Sequence, residues 1–132
     1  MPYVLLIDDD PGVANLLGNK LSGAGFSFVS ASSGVRGLDL VRERRPDIVL
    51  LDLRMPDVDG AEVISALREM EEKGTHVKIV LYTAFNEYAG IRMDEAFARK
   101  IGADAFIEKD MDLDRVVERL HELAAGGAAD GT

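Results

Sequence analysis

The sequence has no cysteine, few positive charges and no long apolar run near its N-terminus, and each absence excludes a class of protein. Without cysteine, the chain forms neither disulfides nor thiolate metal sites, as is typical of proteins in a reducing cytoplasm. The first apolar run, residues 3–7, is too short for a signal peptide or a membrane span. We therefore expect a cytoplasmic protein with no membrane segment.

Positive charge is scarce because 24 acidic residues outnumber 15 lysines and arginines, which gives a formal net charge of −9. Nucleic-acid binding needs clustered basic residues, so we do not expect a nucleic acid as a direct partner. The one basic cluster, residues 42–45, is interrupted by Glu43 and is typical of a solvated helix end. His76 and His121 have no second ligand at metal-binding spacing and are interpreted as surface residues.

The chain alternates short apolar runs with amphipathic helical segments. Its 132 residues, 47% of them hydrophobic and 30% charged, suffice for one domain with a real core. Five strands alternating with five helices predict a parallel sheet with helices on both faces, an α/β fold. The strands are predicted at residues 4–7, 26–30, 47–52, 77–82 and 105–108. The helices are predicted from Asp10–Pro11 to about 24, from Ser33 to before Pro46, across 63–70, around 90–101 and from Asp112 to about 124.

Domain boundaries follow from the same pattern. We assign residues 1–124 to a single domain. Residues 125–132 are rich in glycine and alanine, which is typical of a disordered tail or the start of a linker.

Polar residues follow the ends of four predicted strands: Asp8 and Asp9, Asp52, Thr83, and Lys109. Ligands of open α/β sheets bind beyond the carboxyl ends of the strands, so we expect these side chains at one edge. Three carboxylates in a small cleft need a counter-charge, and Mg²⁺ is a suitable one because it prefers oxygen ligands. The Thr83 hydroxyl and the Lys109 ammonium suit a phosphate, so this set of residues predicts phosphoryl transfer.

Together these motifs resemble those of response regulator receiver domains from bacterial two-component systems. The resemblance covers residues 3 to about 124 and is carried by residues 7–10, 51–60, 83–84, 102–104 and 109. It implies a flavodoxin-like fold, a five-stranded parallel sheet with strand order 2-1-3-4-5.

The resemblance also implies a role for each acid of the set. Asp52 would be the phosphoacceptor. The Mg²⁺ ligands would be Asp9 directly, Asp8 through water, Asp52, and the backbone carbonyl of Arg54.

Further roles are implied on the fourth and fifth strands. Thr83 and the Ala84 amide would hold the phosphoryl oxygens, and Lys109 would pair with Asp52 or its phosphate. Thr83 and Phe106 would form a switch, in which the Phe106 ring fills the space that the Thr83 hydroxyl vacates.

By the same resemblance, the chain is a signalling domain and not an enzyme, beyond promoting its own phosphorylation and dephosphorylation. It would take a phosphoryl group from a histidine kinase or a phosphotransfer protein and act on a downstream protein or an output domain. Receivers often form homodimers through the face of the fourth helix, fifth strand and fifth helix. The alternative is a phosphorylation-independent module that binds proteins through the same fold.

Two features depart from the family pattern. Asp110 follows Lys109 where proline is usual, so either a cis non-proline bond costs ~3 kcal/mol or a trans loop is rearranged. The segment from Thr83 to Lys109 is several residues longer than usual. We predict an enlarged loop or a lengthened fourth helix there, with partner contacts at Tyr88, Ile91 and Met93.

The other acids near these motifs are interpreted as structural. Asp10 precedes Pro11 and is predicted to cap the first helix. Asp57 and Asp59 are predicted to serve the turn before Gly60.

Two enzyme classes fit less well. Aspartyl-phosphate phosphatases need a second acid two residues after the nucleophile, and Arg54 occupies that position. A dinucleotide-binding enzyme would need a G-x-G-x-x-G motif after the first strand, and none is present.

Overall fold

The computed structural model describes residues 1–53, 55, 57–71, 76–84, 87–88 and 91–126. For Glu87, Tyr88, Ile91 and Arg92 it describes the backbone alone. The predicted disordered tail or linker start, residues 125–132, therefore lies largely outside the described part of the chain.

Five parallel strands form one sheet: β1 (Tyr3–Ile7), β2 (Ser27–Ala31), β3 (Ile48–Leu51), β4 (Lys78–Thr83) and β7 (Ala105–Glu108). Two further short strands, β5 (Glu87–Tyr88) and β6 (Ile91–Arg92), pair antiparallel in a separate sheet. The order of the main sheet is β2-β1-β3-β4-β7, which confirms the predicted 2-1-3-4-5 arrangement.

Helices cover both faces of the sheet, as the alternating pattern predicts. They are α1 (Pro11–Gly23), α2 (Gly34–Glu43), α3 (Gly60–Glu69), α4 (Glu95–Lys100) and α5 (Leu113–Ala124). One core cluster joins α1 and α5 to alternate strand residues such as Leu6 and Leu50. A second cluster joins α2, α3 and α4 to the opposite face, which includes Ile7 and Leu51. The strands are apolar on both faces because both faces are covered.

Capping residues set most helix starts where the sequence predicts them. Asp10 accepts hydrogen bonds from the Gly12 and Val13 amides at the start of α1. Asp112 caps α5 through the Asp114 amide, and Gly102 ends α4 with φ +102°. The helix boundaries therefore follow from local hydrogen bonding.

The predicted fourth helix around 90–101 is wrong at its start. Two short strands occupy part of this segment, and α4 has only six residues. Asp94 caps the helix by accepting from the Phe97 amide, so the helix begins after Asp94. A lengthened fourth helix is therefore excluded, and the extra length contains the β5–β6 pair.

Three residues are predicted to contact a partner, and for Met93 the prediction is wrong because its side chain is not at the surface. Its side chain is only 3% exposed and belongs to the core cluster of α2, α3 and α4. The side chains of Tyr88 and Ile91 lie outside the described part of the structure.

Across the described residues, no helix combines the length and the apolar character needed to cross a bilayer.

Candidate functional site

The strand register brings the predicted acids together at the carboxyl edge of the sheet. Ile7 of β1 pairs with Leu51 of β3, so Asp8 and Asp52 follow at neighbouring positions. The Asp52 amide donates to Ile7 O (3.0 Å), and the Asp8 amide donates to Ala31 O (3.0 Å). These backbone bonds continue the sheet past the last paired residues and fix where both carboxylates begin.

Asp8, Asp9 and Asp52 form a cluster in which one carboxylate oxygen from each lies within 4.8 Å of the others. Asp8 and Asp52 are 2% and 5% exposed, whereas Asp9 is exposed. Two buried carboxylates beside a third that faces solvent form a site open on one side. The structure thus assembles the three acids that the sequence predicts to be neighbours.

Lys109 reaches the same cluster from the end of β7. Its Nζ lies 2.6 Å from Asp8 Oδ2 and 3.1 Å from Asp52 Oδ2. The bond to Asp110 is trans, and the Lys109 amide donates to Thr83 O (3.0 Å). Replacing the usual proline with Asp110 therefore leaves the ammonium aimed at the acids, which settles the question that the sequence left open.

Burial and ion pairing have opposite effects on the pKa values of Asp8 and Lys109. Burial raises the pKa of Asp8 above its ordinary value, although the Lys109 ammonium and the Asp10 amide lower it in part. Burial alone would lower the pKa of Lys109, but its hydrogen bond to Asp8 and the Asp52 charge outweigh that effect and raise it. Asp8 therefore gives up its proton less readily than an ordinary aspartate, while Lys109 stays protonated.

The cluster fits a hard divalent cation. Asp8 Oδ2 is shielded from solvent with one ammonium beside it, while Asp8 Oδ1 accepts from the Asp10 amide (3.0 Å). Three carboxylates and one ammonium leave two negative charges among these four side chains. Carboxylate oxygens in this number and charge suit Mg²⁺, which commonly binds one or two carboxylates and keeps several waters.

The structure also describes three of the four remaining predicted site residues. Thr83 ends β4 with no exposed surface, and Ala84 follows it at the surface. Phe106 pairs in register with Leu81 and packs, half-buried, against the core cluster that contains Met93. Arg54, whose carbonyl is a predicted ligand, lies outside the described residues.

A polar network at the opposite edge of the sheet was missed by sequence reasoning. The Arg68 guanidinium donates to Gly102 O (2.9 and 2.8 Å), Val77 O (2.8 Å) and Asp104 Oδ2 (2.8 Å). Asp104 Oδ2 also accepts from the Ile79 amide (2.8 Å). The network ties α3 to the start of β4 and to the turn before β7. Its partners are up to 36 positions apart, so no local spacing indicates it.

Asp57 has a role that the turn interpretation missed. Its carboxylate accepts from the Gly34 and Val35 amides at the start of α2, each at 3.2 Å. Asp59, which is predicted to serve the turn before Gly60, caps α3 in a capping box with Glu62.

Comparison with known proteins agrees with this geometry. The family model of the response regulator receiver domain matches residues 4–121. The chain is 32% identical over 123 residues to the DNA-binding dual master transcriptional regulator RpaA of Synechocystis, covering 93% of this chain and 49% of RpaA. It thus spans about half the length of that relative. It is 31% identical over 117 residues to the polar-differentiation response regulator DivK of Brucella ovis, covering 89% of this chain and 91% of DivK.

Solved structures show the same fold. The response regulator TrrA of Thermotoga maritima, crystallised in complex with Mg²⁺-BeF, superposes with a TM-score of 0.77 at 28% identity, covering 93% of this chain and 99% of TrrA. A receiver domain protein of Methanospirillum hungatei gives a TM-score of 0.82 at 21% identity, covering 96% and 95% of the two chains. Family model, relatives and fold agree, and the chain belongs to the response regulator receiver domain family.

Proposed function

We propose that this domain accepts a phosphoryl group on Asp52 from the phosphohistidine of a histidine kinase or a phosphotransfer protein. The observation that carries the proposal is the arrangement of Asp52, which lies among two other acids and 3.1 Å from the Lys109 ammonium. A carboxylate is an established phosphoryl acceptor, and phosphoryl transfer depends mainly on positioning and charge neutralisation.

Asp8, Asp9 and Asp52, with the Arg54 carbonyl, are the proposed ligands of Mg²⁺. When bound, the ion would neutralise charge on the transferring phosphoryl oxygens. The complex of TrrA with Mg²⁺-BeF supports this choice of ion, and so does the charge of the cluster.

Each side chain has one part in the proposed step. An Asp52 oxygen attacks the phosphorus, the bond from phosphorus to the donor nitrogen breaks, and the electron pair stays on the imidazole. Once the acyl phosphate has formed, the Lys109 ammonium pairs with the new phosphoryl oxygens. The Thr83 hydroxyl and the Ala84 amide hold the same anion. Hydrolysis of the acyl phosphate would return Asp52 to its starting state, so the proposed chemistry takes place on the domain's own aspartate.

Phosphorylation would change a partner-binding face built from α4, β7 and α5. Movement of the Thr83 hydroxyl toward the phosphate would leave space for the Phe106 ring, which is half-buried next to this face. On the face itself, Arg119 of α5 pairs with Glu95 of α4 at 3.1 Å. A bistable element of this kind turns a local charge into a change of surface.

The proposed partner of that face is a downstream protein or an output domain. The match to DivK covers 91% of that regulator and is compatible with a downstream protein as the partner. RpaA is covered over 49%, which supports a receiver joined to an output domain. A homodimer through the same face is compatible with either arrangement.

The intact mass of the protein after incubation with acetyl phosphate tests the proposal. One added phosphoryl group is expected with Mg²⁺ and none without it, and the Asp52→Asn variant should remain unmodified. Folded wild-type protein that gains no mass with Mg²⁺ would refute the proposal and favour a phosphorylation-independent binding module.

A further inference from the structure

The loop that follows the phosphoacceptor is attached to the start of a different helix. Asp57, five residues after Asp52, accepts the Gly34 amide on Oδ1 and the Val35 amide on Oδ2, each at 3.2 Å. Because both oxygens are engaged, the orientation of the carboxylate is fixed. These hydrogen bonds hold the pKa of Asp57 below its ordinary value, with the bond from Val35 contributing most.

Asp57 completes the capping of α2. A helix leaves its first amides without partners inside the helix. Ser33, the local cap, accepts only from the Arg36 amide (3.1 Å) through its side chain. The Gly34 and Val35 amides are instead bound by a side chain 23 and 22 positions away.

The packing around these hydrogen bonds is tight. A β-carbon on Gly34 would lie 3.2 Å from Cβ of Val58 and 3.0 Å from a Val63 methyl. At the far end of the same loop, a β-carbon on Gly60 would lie 2.6 Å from the Leu53 Cα. The loop from β3 to α3 is thus held at Asp57–Val58 and again at Gly60.

The two segments that Asp57 joins both adjoin the acid cluster. The segment from β2 to α2 begins at Ala31, whose carbonyl accepts from the Asp8 amide. The segment from β3 to α3 begins at Asp52 itself. Asp57 therefore links the segment that binds the Asp8 amide to the segment that carries Asp52.

We propose that Asp57 is a positioning residue for the Mg²⁺ site, which fixes the Asp52 loop against the start of α2. This inference rests on the proposed function, because it assigns a further residue to the same site. Asp57 is not one of the proposed ligands of the ion. Its loss should weaken Mg²⁺ binding without removing a ligand.

The experiment measures the Mg²⁺ dissociation constant by titration calorimetry for the wild type and for Asp57→Ala, Asp57→Asn and Ser33→Ala. Ser33→Ala is the matched control, because it removes a cap from the same helix and leaves the attachment of the Asp52 loop in place. Hydrogen exchange of the Gly34 and Val35 amides reports whether that attachment is lost.

Asp57→Ala should raise the Mg²⁺ dissociation constant about tenfold, the lower end for residues that support a metal site from outside its ligands. Its Gly34 and Val35 amides should exchange faster. At saturating Mg²⁺ its rate of phosphorylation by acetyl phosphate should return to that of the wild type. Asp57→Asn keeps one carbonyl acceptor, so its Mg²⁺ dissociation constant should lie between those of the wild type and Asp57→Ala. This variant also provides a test if Asp57→Ala does not fold. Ser33→Ala should bind Mg²⁺ as the wild type does.

An unchanged dissociation constant in folded Asp57→Ala would overturn this inference alone. An equal rise in Ser33→Ala would also overturn it, because general loosening of α2 would then explain the effect. A wild-type protein that binds no Mg²⁺ would overturn the proposed function and this inference with it.

Discussion

Replacing Lys109 with methionine tests whether the acid cluster is built for a cation. The ammonium lies 2.6 Å from Asp8 and 3.1 Å from Asp52, and its side chain is 15% exposed. Breaking a buried ion pair costs about 3–5 kcal/mol because a buried charge loses its partner. We expect a loss of about 3 kcal/mol, the lower end, because Asp8 has a raised pKa and can take up a proton. For a domain of this size that is a fall of about 10 °C in Tm.

Mg²⁺ should reverse most of this loss. Without the ammonium the three carboxylates repel one another more strongly and bind a cation more tightly, and a ligand that binds the folded state stabilises it. Urea unfolding at neutral pH, with and without saturating Mg²⁺, measures the effect. The stability gap between Lys109→Met and the wild type should shrink to less than half when Mg²⁺ is present.

Lys20→Met is the control for loss of a lysine charge. Lys20 of α1 pairs with Asp114 of α5 on the surface, and neither residue belongs to the acid cluster. The difference in unfolding free energy between Lys20→Met and the wild type should be the same with and without Mg²⁺. A Lys109→Met gap that Mg²⁺ leaves unchanged or widens would refute the view that ammonium and cation neutralise the same charges.

Two further predictions concern acid stability and the switch. Burial alone would raise the pKa of Asp104, but the Ile79 amide and the Arg68 guanidinium outweigh it and hold the pKa below its ordinary value. The stabilisation by Asp104 is thus complete above its unfolded pKa of about 3.9 and is lost as pH falls through the lower folded value. Asp104→Asn should cost about 1–2 kcal/mol at pH 7 in urea unfolding and less at pH 3, and an equal loss at both pH values would contradict this. For the switch, NMR of Phe106 should show a changed ring environment when beryllofluoride and Mg²⁺ are added, and an unchanged ring would exclude it as a switch residue.

Much of this fold could be predicted from the sequence because its signals are local. Runs such as residues 48–51 are apolar on both faces, which indicates a strand buried between two helical layers. Asp10 and Asp112 precede helices at capping positions. The acids at the site could be predicted for the same reason, since parallel strands bring their carboxyl ends to one edge.

The features that were missed depend on contacts distant in sequence or on competition between local signals. Asp57 contacts α2 through a residue 23 positions away, and Arg68 bonds to Asp104 36 positions away. Neither contact is indicated by the residues next to Asp57 or Arg68 in the sequence. In the segment before α4, apolar residues such as Ile91 and Met93 fit a helical pattern. Asp94 nevertheless sets a later start, and Ile91 has the β-branched side chain that favours strands.

The direction of the Lys109 side chain could not be predicted from the family pattern. Without proline at position 110, the sequence left two backbone conformations open. The Lys109 amide bonds to Thr83 O, and the ammonium reaches both acids with a trans bond. Pairing of β7 with β4 therefore directs this side chain without the proline.

The central claim is that Asp52 itself carries the phosphoryl group, and chemical trapping tests it most directly. Borohydride reduces an aspartyl phosphate to homoserine, so protein treated with acetyl phosphate and Mg²⁺ can be reduced, digested and sequenced by mass spectrometry. We predict homoserine at position 52 and aspartate at positions 8 and 9. Homoserine at another position, or none in protein that has gained a phosphoryl group, would contradict the assignment of Asp52.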